Sequence, residues 1–539
     1  MKSLFKKQWF VILGFTLAIN FYITAQPKTK IVDPAEAKEH FVNRNYLFAM
    51  RSYSDLIKME PKNVDYNYKL GICYLNTNID KKQAIKYLEF VTKQKDFDNE
   101  AWFDLGRAYQ CNNRFEDAIK AYTEYKKSAR AKDMEKAEHQ IEMCNNGKEF
   151  IKFPLNVTFE NLGKEVNSEY PDYYPFVTAD ESFIVFTSRR EDNIGGGVEV
   201  DGYYSSDIYS SVVVNGKWTK SKNIGAPINT RYDEQAVSLT SDGKNMIVYL
   251  DHIDSLGNIY ICPENKRLFQ KIIKLNDNVN SGFETSGSIS ADGNIIFFAS
   301  DRSGGFGGTD IYMAKKLPNG QWALPQNLGP SINTKYNEDF PRLADDGKTL
   351  YFSSQGHSSM GDYDVFKAIW DQENNKWSES KNLGYPINNG DDNRNVSPTA
   401  NEKVLYLSTV RDKGLGDLDI YRVTFNDDEQ RYTIVSGYVL TGDTTKKAIE
   451  ATITATNTKT NEEFTYVPTA QTGKYVMALN PGKYTITVDA TGYRAFIDAI
   501  ELFDKGSFKP EIKKDIQLVK KDAPQPGNPP TPNNTAPKK

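Results

Sequence analysis

Two short acidic loops are the patterns in this chain best suited to chemistry. Gly361-Asp362-Tyr363-Asp364 and Gly416-Asp417-Leu418-Asp419 each set two carboxylates two residues apart. Oxygen ligands at alternate positions suit a hard cation, so Asp362, Asp364, Asp417 and Asp419 are candidate Ca²⁺ ligands. The other reading is structural: glycine supplies backbone angles closed to other residues, and aspartate caps a turn ahead of a strand. The related run Gly304-Gly305-Phe306-Gly307-Gly308-Thr309-Asp310 favours the structural reading, because fold-forming residues recur between repeats while ligand sets rarely do. No cofactor is implied. The four histidines (His40, His139, His252, His357) are scattered, and no His/Cys cluster has zinc spacing. No Gly-x-Ser-x-Gly nucleophile elbow occurs, so no catalytic residue is assigned and the chain reads as a non-enzyme.

Cys111 and Cys144 stand 33 residues apart, nearly one helical repeat, which puts them on neighbouring parallel helices. A disulfide between them is open. Parallel helices about 8–10 Å apart hold Cα atoms too far from each other for one, so buried free thiols are the preferred reading.

Placing these residues takes several domains, since 539 residues exceed one hydrophobic core. Residues 1–25 have a basic start, an apolar run from Trp9 to Ile19 and a polar exit, with cleavage expected between Ala25 and Gln26. That layout is a secretory signal peptide, and it sends the mature chain out of the cytoplasm. No later segment is long and apolar enough to span a membrane. The signal holds three lysines and no acid, so its removal takes the formal net charge from −4 to −7. Neither nucleic acid nor an anionic membrane is a natural partner for that charge.

Residues 34–146 carry helical periodicity with a repeat of about 34 residues. One copy has Trp102, Leu105, Gly106, Tyr109, Ala118 and Tyr122; an earlier one has Leu70, Gly71, Tyr74, Ala84 and Leu88; the first shows Ala49, Tyr53 and Pro61. The spacing resembles the tetratricopeptide repeat, which implies stacked helix pairs with a concave binding surface.

From residue 148 to 425 the grammar changes to short strands and turns. Asn161-Leu162-Gly163, Asn223-Ile224-Gly225, Asn327-Leu328-Gly329 and Asn382-Leu383-Gly384 are each followed, six residues after the first, by another asparagine: Asn167, Asn229, Asn333 and Asn388. A degenerate copy at Leu275-Asn276-Asp277 reaches Asn280. A turn, an apolar strand and an Asp-Ile-Tyr-like strand complete each unit, at Asp207, Asn258, Asp310, Asp364 and Asp419. Each unit offers about four strands, the content of one propeller blade. The first landmark ends a lone strand near residues 151–160 and the last unit stops near Phe425, so the early strand is expected to complete the final blade. The segments resemble the WD40-like (PD40) repeats of TolB-type proteins, with Pro175, Pro341 and Pro398 matching a leading proline. A five-bladed β-propeller is expected. The loop from Arg189 to Tyr204 makes the first unit the longest, and an insertion on one face is a common place for a partner.

Residues 432–520, with an alternating strand through Ala451–Ala455 and Gly-x-Tyr starts at Gly473 and Gly482, resemble the carboxypeptidase regulatory-like domain, a transthyretin-like β-sandwich without peptidase chemistry. Residues 521–539 are Pro- and Asn-rich and read as a disordered tail. The order of modules resembles the PorE type of periplasmic type IX secretion protein, without the OmpA-like domain that usually follows. That resemblance implies a scaffold linking periplasmic and outer-membrane components of secretion or gliding, with PorP/SprF-like proteins as candidate partners. The alternative is a binder of peptidoglycan or another glycan through aromatic loops.

Overall fold

The computed structural model describes residues 32–251, 257–265, 268–400, 402–426, 432–442, 450–469, 472–503, 509 and 511–522. The signal segment with its Ala25/Gln26 junction, His252, the connection 427–431 and the tail beyond residue 522 lie outside the described residues. The protein is multidomain: a helical layer, a series of antiparallel sheets and a separate two-sheet C-terminal domain.

The first helices begin where a side chain can serve an unpaired backbone N–H. Asp33 accepts from Ala35 N ahead of Pro34, Asn45 from Phe48 N and Asn63 from Tyr66 N. The described helices are α1 (Pro34–Val42), α2 (Tyr46–Met59), α3 (Val64–Leu75), α4 (Lys82–Thr92), α5 (Glu100–Gln110), α6 (Phe115–Lys126) and α7 (Ala131–Phe150). Consecutive helices pack on one another, with Gly71 against Leu88, Gly106 against the Tyr122 ring and Gly147 against Phe115. The helical region expected to end at 146 runs on to Phe150. Gly147 lets the helix pass under Phe115, and Phe150 is buried with Met360, Tyr432, Ile434, Val476 and Ala478 in a core shared by all three parts of the molecule. No described helix is long and apolar enough to cross a membrane.

Five antiparallel sheets follow. Their three main strands are Asp172–Val177, Phe183–Ser188 and Asp207–Val214 in the first; Asp233–Leu239, Asn245–Asp251 and Asn258–Asn265 in the second; Glu284–Ile289, Ile295–Ser300 and Asp310–Lys315 in the third; Glu338–Leu343, Thr349–Ser354 and Asp364–Asp371 in the fourth; and Ser397–Pro398, Val404–Thr409 and Asp419–Phe425 in the fifth. Short pieces such as Lys222–Asn223 and Lys381–Asn382 form the outer edges. The fifth sheet takes its outer strand from the other end of the chain: Val157–Asn161 pairs antiparallel with Asp419–Phe425, Val157 opposite Phe425 and Asn161 opposite Tyr421. This pairing covers an edge that would otherwise invite association.

Neighbouring sheets are tied by one recurring backbone bond. The N–H groups of Glu234, Glu284, Glu338 and Asn393 donate to the carbonyls of Ser206, Gly257, Thr309 and Tyr363 on the preceding sheet, and Asp172 of the first sheet donates to Leu418 of the fifth. The five bonds run round a closed circuit.

The register shifts one expectation. Phe176 pairs with Val185, Arg342 with Tyr351 and Ser397 with Tyr406. Pro398 therefore stands two positions beyond the place that Pro175 and Pro341 share, and the fifth sheet has Val396 there. The fifth inner strand retains only Ser397 and Pro398 in ladder pairing, so its proline falls in a different place.

In the C-terminal domain Thr433–Leu440 lies between Lys474–Leu479, antiparallel, and the short strands Glu511–Lys513 and Ile516–Gln517, parallel. The facing sheet runs Glu463–Tyr466, Ala451–Asn457, Gly482–Ala490 and Phe496–Leu502. Alternation along these strands buries Val435, Ile453, Met477, Ile486 and Val488 between the sheets. The two parallel pieces leave no mark in the sequence, being too short to show a period.

Candidate functional site: a cleft between the helices and the sheets

The repeated asparagines and aspartates hold the sheets together from within. Asn388, fully buried, accepts from Val365 N and donates to Val365 O and Asn382 Oδ1 at 2.7–2.8 Å. Asn167, Asn229 and Asn333 do the same for Ile420, Ile208 and Ile311. Asn280 serves Ile259 and replaces the missing asparagine partner with the carbonyl of Leu275. Each amide thus stands in for a stretch of strand, satisfying a backbone N–H and adding a second donor to a carbonyl that already accepts from the outer piece, as Val365 O does from Leu383 N.

This pattern also places the candidate cation ligands. Asp364 accepts from Met360 N and Asn382 Nδ2, and Asp419 from Leu415 N and Asn161 Nδ2. Asp417 faces Asn78 Nδ2 and the Tyr203 hydroxyl, and Asp362 accepts from Gln355 Nε2. Hydrogen-bond donors thus engage all four carboxylates. No group of three or more His, Cys, Asp or Glu placed to hold a metal occurs among the described residues. The glycine of each motif is explained by the joint between sheets. A side-chain carbon at Gly307, Gly361 or Gly416 would fall on the backbone carbonyl oxygen of Tyr336, Asp391 or Glu169 in the loop of the next sheet.

Burial pushes the Asp364 carboxyl up to about 7, and Glu234 and Glu338 likewise. The unfolded chain releases these protons near pH 4. Between about pH 4 and 7 the folded state therefore binds more protons than the unfolded one, and this part of the stability falls as pH rises. Burial lowers His139 and His357 to about 4, an opposite contribution that is lost as pH falls. Asp364→Asn keeps an acceptor for Met360 and Asn382 and cannot titrate. Relative to wild type it should gain about 1–3 kcal/mol between pH 5 and pH 8. Urea unfolding read by the sheet tryptophans (Trp218, Trp322, Trp370, Trp377) checks this.

The four cysteines are free, so Cys111 and Cys144 are thiols and form no bridge. Cys111 closes α5 and its S–H donates a hydrogen bond to Ala108 O at 3.4 Å, while Cys144 is fully buried inside α7. Burial pushes Cys111 up to about 12 and Cys144 well above the usual thiol value.

The helical layer lies against loops at one end of the sheets. Lys81 Nζ meets both carboxylate oxygens of Asp391 at 2.7 Å, Gln110 Nε2 donates to Met360 O at 3.2 Å and Asn146 Nδ2 to Ser359 O at 2.9 Å. Burial alone would lower the Lys81 pKa, but Asp391 holds it above the usual lysine value. Gly390 N donates to Asn113 Oδ1, and His139 stacks on Tyr336 at 3.8 Å with Nε2 against Gln355 O. The long loop of the first unit joins in: Tyr203 shares Asp417 with Asn78 of the helical layer.

Between these contacts lies a polar cleft of about 770 Å³ with walls from both layers. The helices contribute Arg107, Lys132 and Lys136 together with Glu100, Asp104 and Glu135, and the sheets Asp362, Asp391 and Asp392. Aromatic and guanidinium groups pack beside Asp392 and between the inner strands. Arg394 pairs with Asp392 and lies 4.2 Å above the Tyr363 ring, while Tyr174 packs on Phe340 at 4.5 Å. Arg342 crosses from the fourth sheet to the second, donating to Ser238 Oγ and Leu239 O. The sequence alone does not single out Lys81, Gly390, Asp391, Arg342 or Arg394. Only Asn389-Gly390-Asp391-Asp392, which directly follows a landmark asparagine, offers a signal.

No family model matches the chain, and no curated protein matches it. Among solved structures it is similar to hydrazine synthase of Kuenenia stuttgartiensis, at 14% identity over 60% of this chain and 79% of that one, with a TM-score of 0.27. It is also similar to a putative 6-phosphogluconolactonase from Bacteroides uniformis, at 12% over 65% and 83% with a TM-score of 0.27, and to a hypothetical protein from Leishmania major, at 11% over 48% and 86% with a TM-score of 0.30. At these values the likenesses assign neither a family nor an activity to the chain.

Proposed function

We propose that this chain is a non-catalytic scaffold of a bacterial periplasm, in which tetratricopeptide repeats, a five-bladed WD40-like β-propeller and a transthyretin-like sandwich form one binding body. The five equivalent asparagine latches and the circuit of five backbone bonds support the blade count. The observation that carries the reading is the cleft. Charged side chains of both signs from the helices and carboxylates from the sheets face a common space, and the side chains best suited to chemistry hold the two layers or the sheets together. A polar surface shared by two layers suits recognition of a protein segment better than a reaction. The resemblance to PorE-type proteins suggests the partners: outer-membrane and periplasmic components of a type IX secretion or gliding machinery, PorP/SprF-like proteins among them.

The test is affinity capture of the tagged protein from detergent-solubilised envelopes of its native host, followed by mass spectrometry. We expect outer-membrane secretion or gliding components, reduced when Lys132 and Lys136 are replaced by glutamate. Recovery of cell-wall fragments alone, with direct binding to isolated sacculi, would overturn the scaffold reading in favour of glycan binding.

A further inference from the structure

The helical layer carries a second groove that shares no residue with the cleft. It measures about 870 Å³, and half-buried Ile57 of α2 and Ile85, Tyr87 and Phe90 of α4 provide its apolar surface. Exposed cations surround it: Lys82 and Lys86 on α4, Lys93 at its C-terminal end and Arg114 just ahead of α6. Glu89 is the one acid in the lining, and it is already engaged by the Tyr109 hydroxyl at 2.7 Å and by Lys93 at 3.2 Å. Arg114 is paired with Asp117 outside the lining. Lys82 and Lys86 have no carboxylate partner among the described residues, and Lys86 instead lies 5.1 Å over the Tyr87 ring.

An excess of cations around an apolar groove is notable on a chain whose formal net charge is −4. Other exposed lysines of these helices are of both kinds: Lys58 pairs with Asp55 and Lys127 with Glu124, while Lys132 and Lys136 of the cleft make no ion pair among the described residues. Complementary charge steers a partner and sets its register, while apolar contact supplies the affinity. We infer that this groove docks an acidic segment of a partner protein, one with leucine or phenylalanine on the face turned to α4 and aspartate or glutamate towards Lys82 and Lys86. The docking site is separate from the cleft, so it stands or falls independently of the scaffold reading.

The probe is a short fluorescein-labelled peptide with leucines and phenylalanine on one face and aspartates and glutamates on the other, titrated by fluorescence anisotropy with the full mature protein. Two controls accompany it: the same peptide with lysine for every acid, and the acidic peptide with alanine for every large apolar residue. We expect the acidic amphipathic peptide to bind at least about tenfold more tightly than either control, and to weaken as salt is raised. Lys82→Glu/Lys86→Glu should remove about tenfold of that affinity, whereas Lys132→Glu/Lys136→Glu in the cleft should leave it unchanged. Circular dichroism and the melting temperature show that the variants remain folded. Equal binding of acidic and basic peptides, indifference to the Lys82/Lys86 change, or binding to anionic phospholipid vesicles and to no peptide would each overturn the proposal.

Discussion

Replacing Gly390 with valine should lift α5 and the hairpin before it off the sheets without unfolding either layer. A side-chain carbon at position 390 would fall on the backbone carbonyl oxygen of Gln110 and come within 3.1 Å of the Phe115 ring. Neither neighbour can give way. Gln110 ends α5 and is held by the Tyr122 hydroxyl, and Phe115 is fully buried in the helical core. Separation would break the Gly390–Asn113 bond, the Lys81–Asp391 pair and the Gln110–Met360 bond. Overpacking against fixed backbone costs about 1–3 kcal/mol, and each part-buried hydrogen bond broken adds about 1 kcal/mol. That sum is comparable with the whole adhesion of the two layers at this loop. The expected signature is faster proteolytic cleavage between the helices and a larger radius of gyration in small-angle scattering. The unfolding midpoint of the sheet tryptophans should stay within about 0.5 kcal/mol of wild type. Gly197→Val serves as the control, because its nearest neighbour lies at 3.9 Å. If Gly390→Val behaves as this control does, the Gly390 loop does not hold the layers together.

How far such contacts can be read in the sequence depends on whether they repeat. The Asn–Asn–Asp set is legible because each sheet solves the same local problem, so the same residues return at the same spacing. Even the degenerate third unit is legible through Asn280, whose amide makes two of its bonds with Ile259 whatever has become of the landmark before it. The pairing of Val157–Asn161 with the final strand follows from the phase of those repeats, as a matter of counting. By contrast, Lys81 meets Asp391 across 310 residues, and Gln110 meets Met360 across 250. Such contacts occur once, and no period announces them. The paired carboxylates leave a cation and a turn as alternatives because two residues of spacing serve both. Only the glycine ahead of them, pressed on the carbonyl of the next sheet, shows what the loop is shaped to do. Pro398 illustrates the converse error. A residue type can recur while its register does not, and proline placement is dictated by which N–H the local ladder can spare.

Asn388→Leu should be the most damaging single substitution among the repeated residues. Leucine is close enough to asparagine in size to keep the site filled, but it leaves the N–H of Val365 without its partner in a fully buried position, strips the Val365 carbonyl back to its bond from Leu383 N and removes the bond to Asn382. A buried N–H left open costs about 1–3 kcal/mol and a lost hydrogen bond about 1 kcal/mol, so the loss should reach about 2–4 kcal/mol. Asn229→Leu removes the same bonds from Ile208 and should cost a similar amount. The two variants should differ in a second reading. Asn388 leads directly into Asn389, Gly390 and Asp391, whose backbone meets Asn113 and whose carboxylate meets Lys81. Asn388→Leu should therefore loosen the helical layer as well, raising proteolysis between helices at temperatures well below sheet unfolding, while Asn229→Leu, whose loop makes none of the helix contacts described above, should not. Urea unfolding followed by tryptophan fluorescence gives the first quantity and timed proteolysis the second. Equal proteolysis in the two variants would mean that the loop keeps its shape without its latch, and that helix docking rests on Met360 and α7 instead.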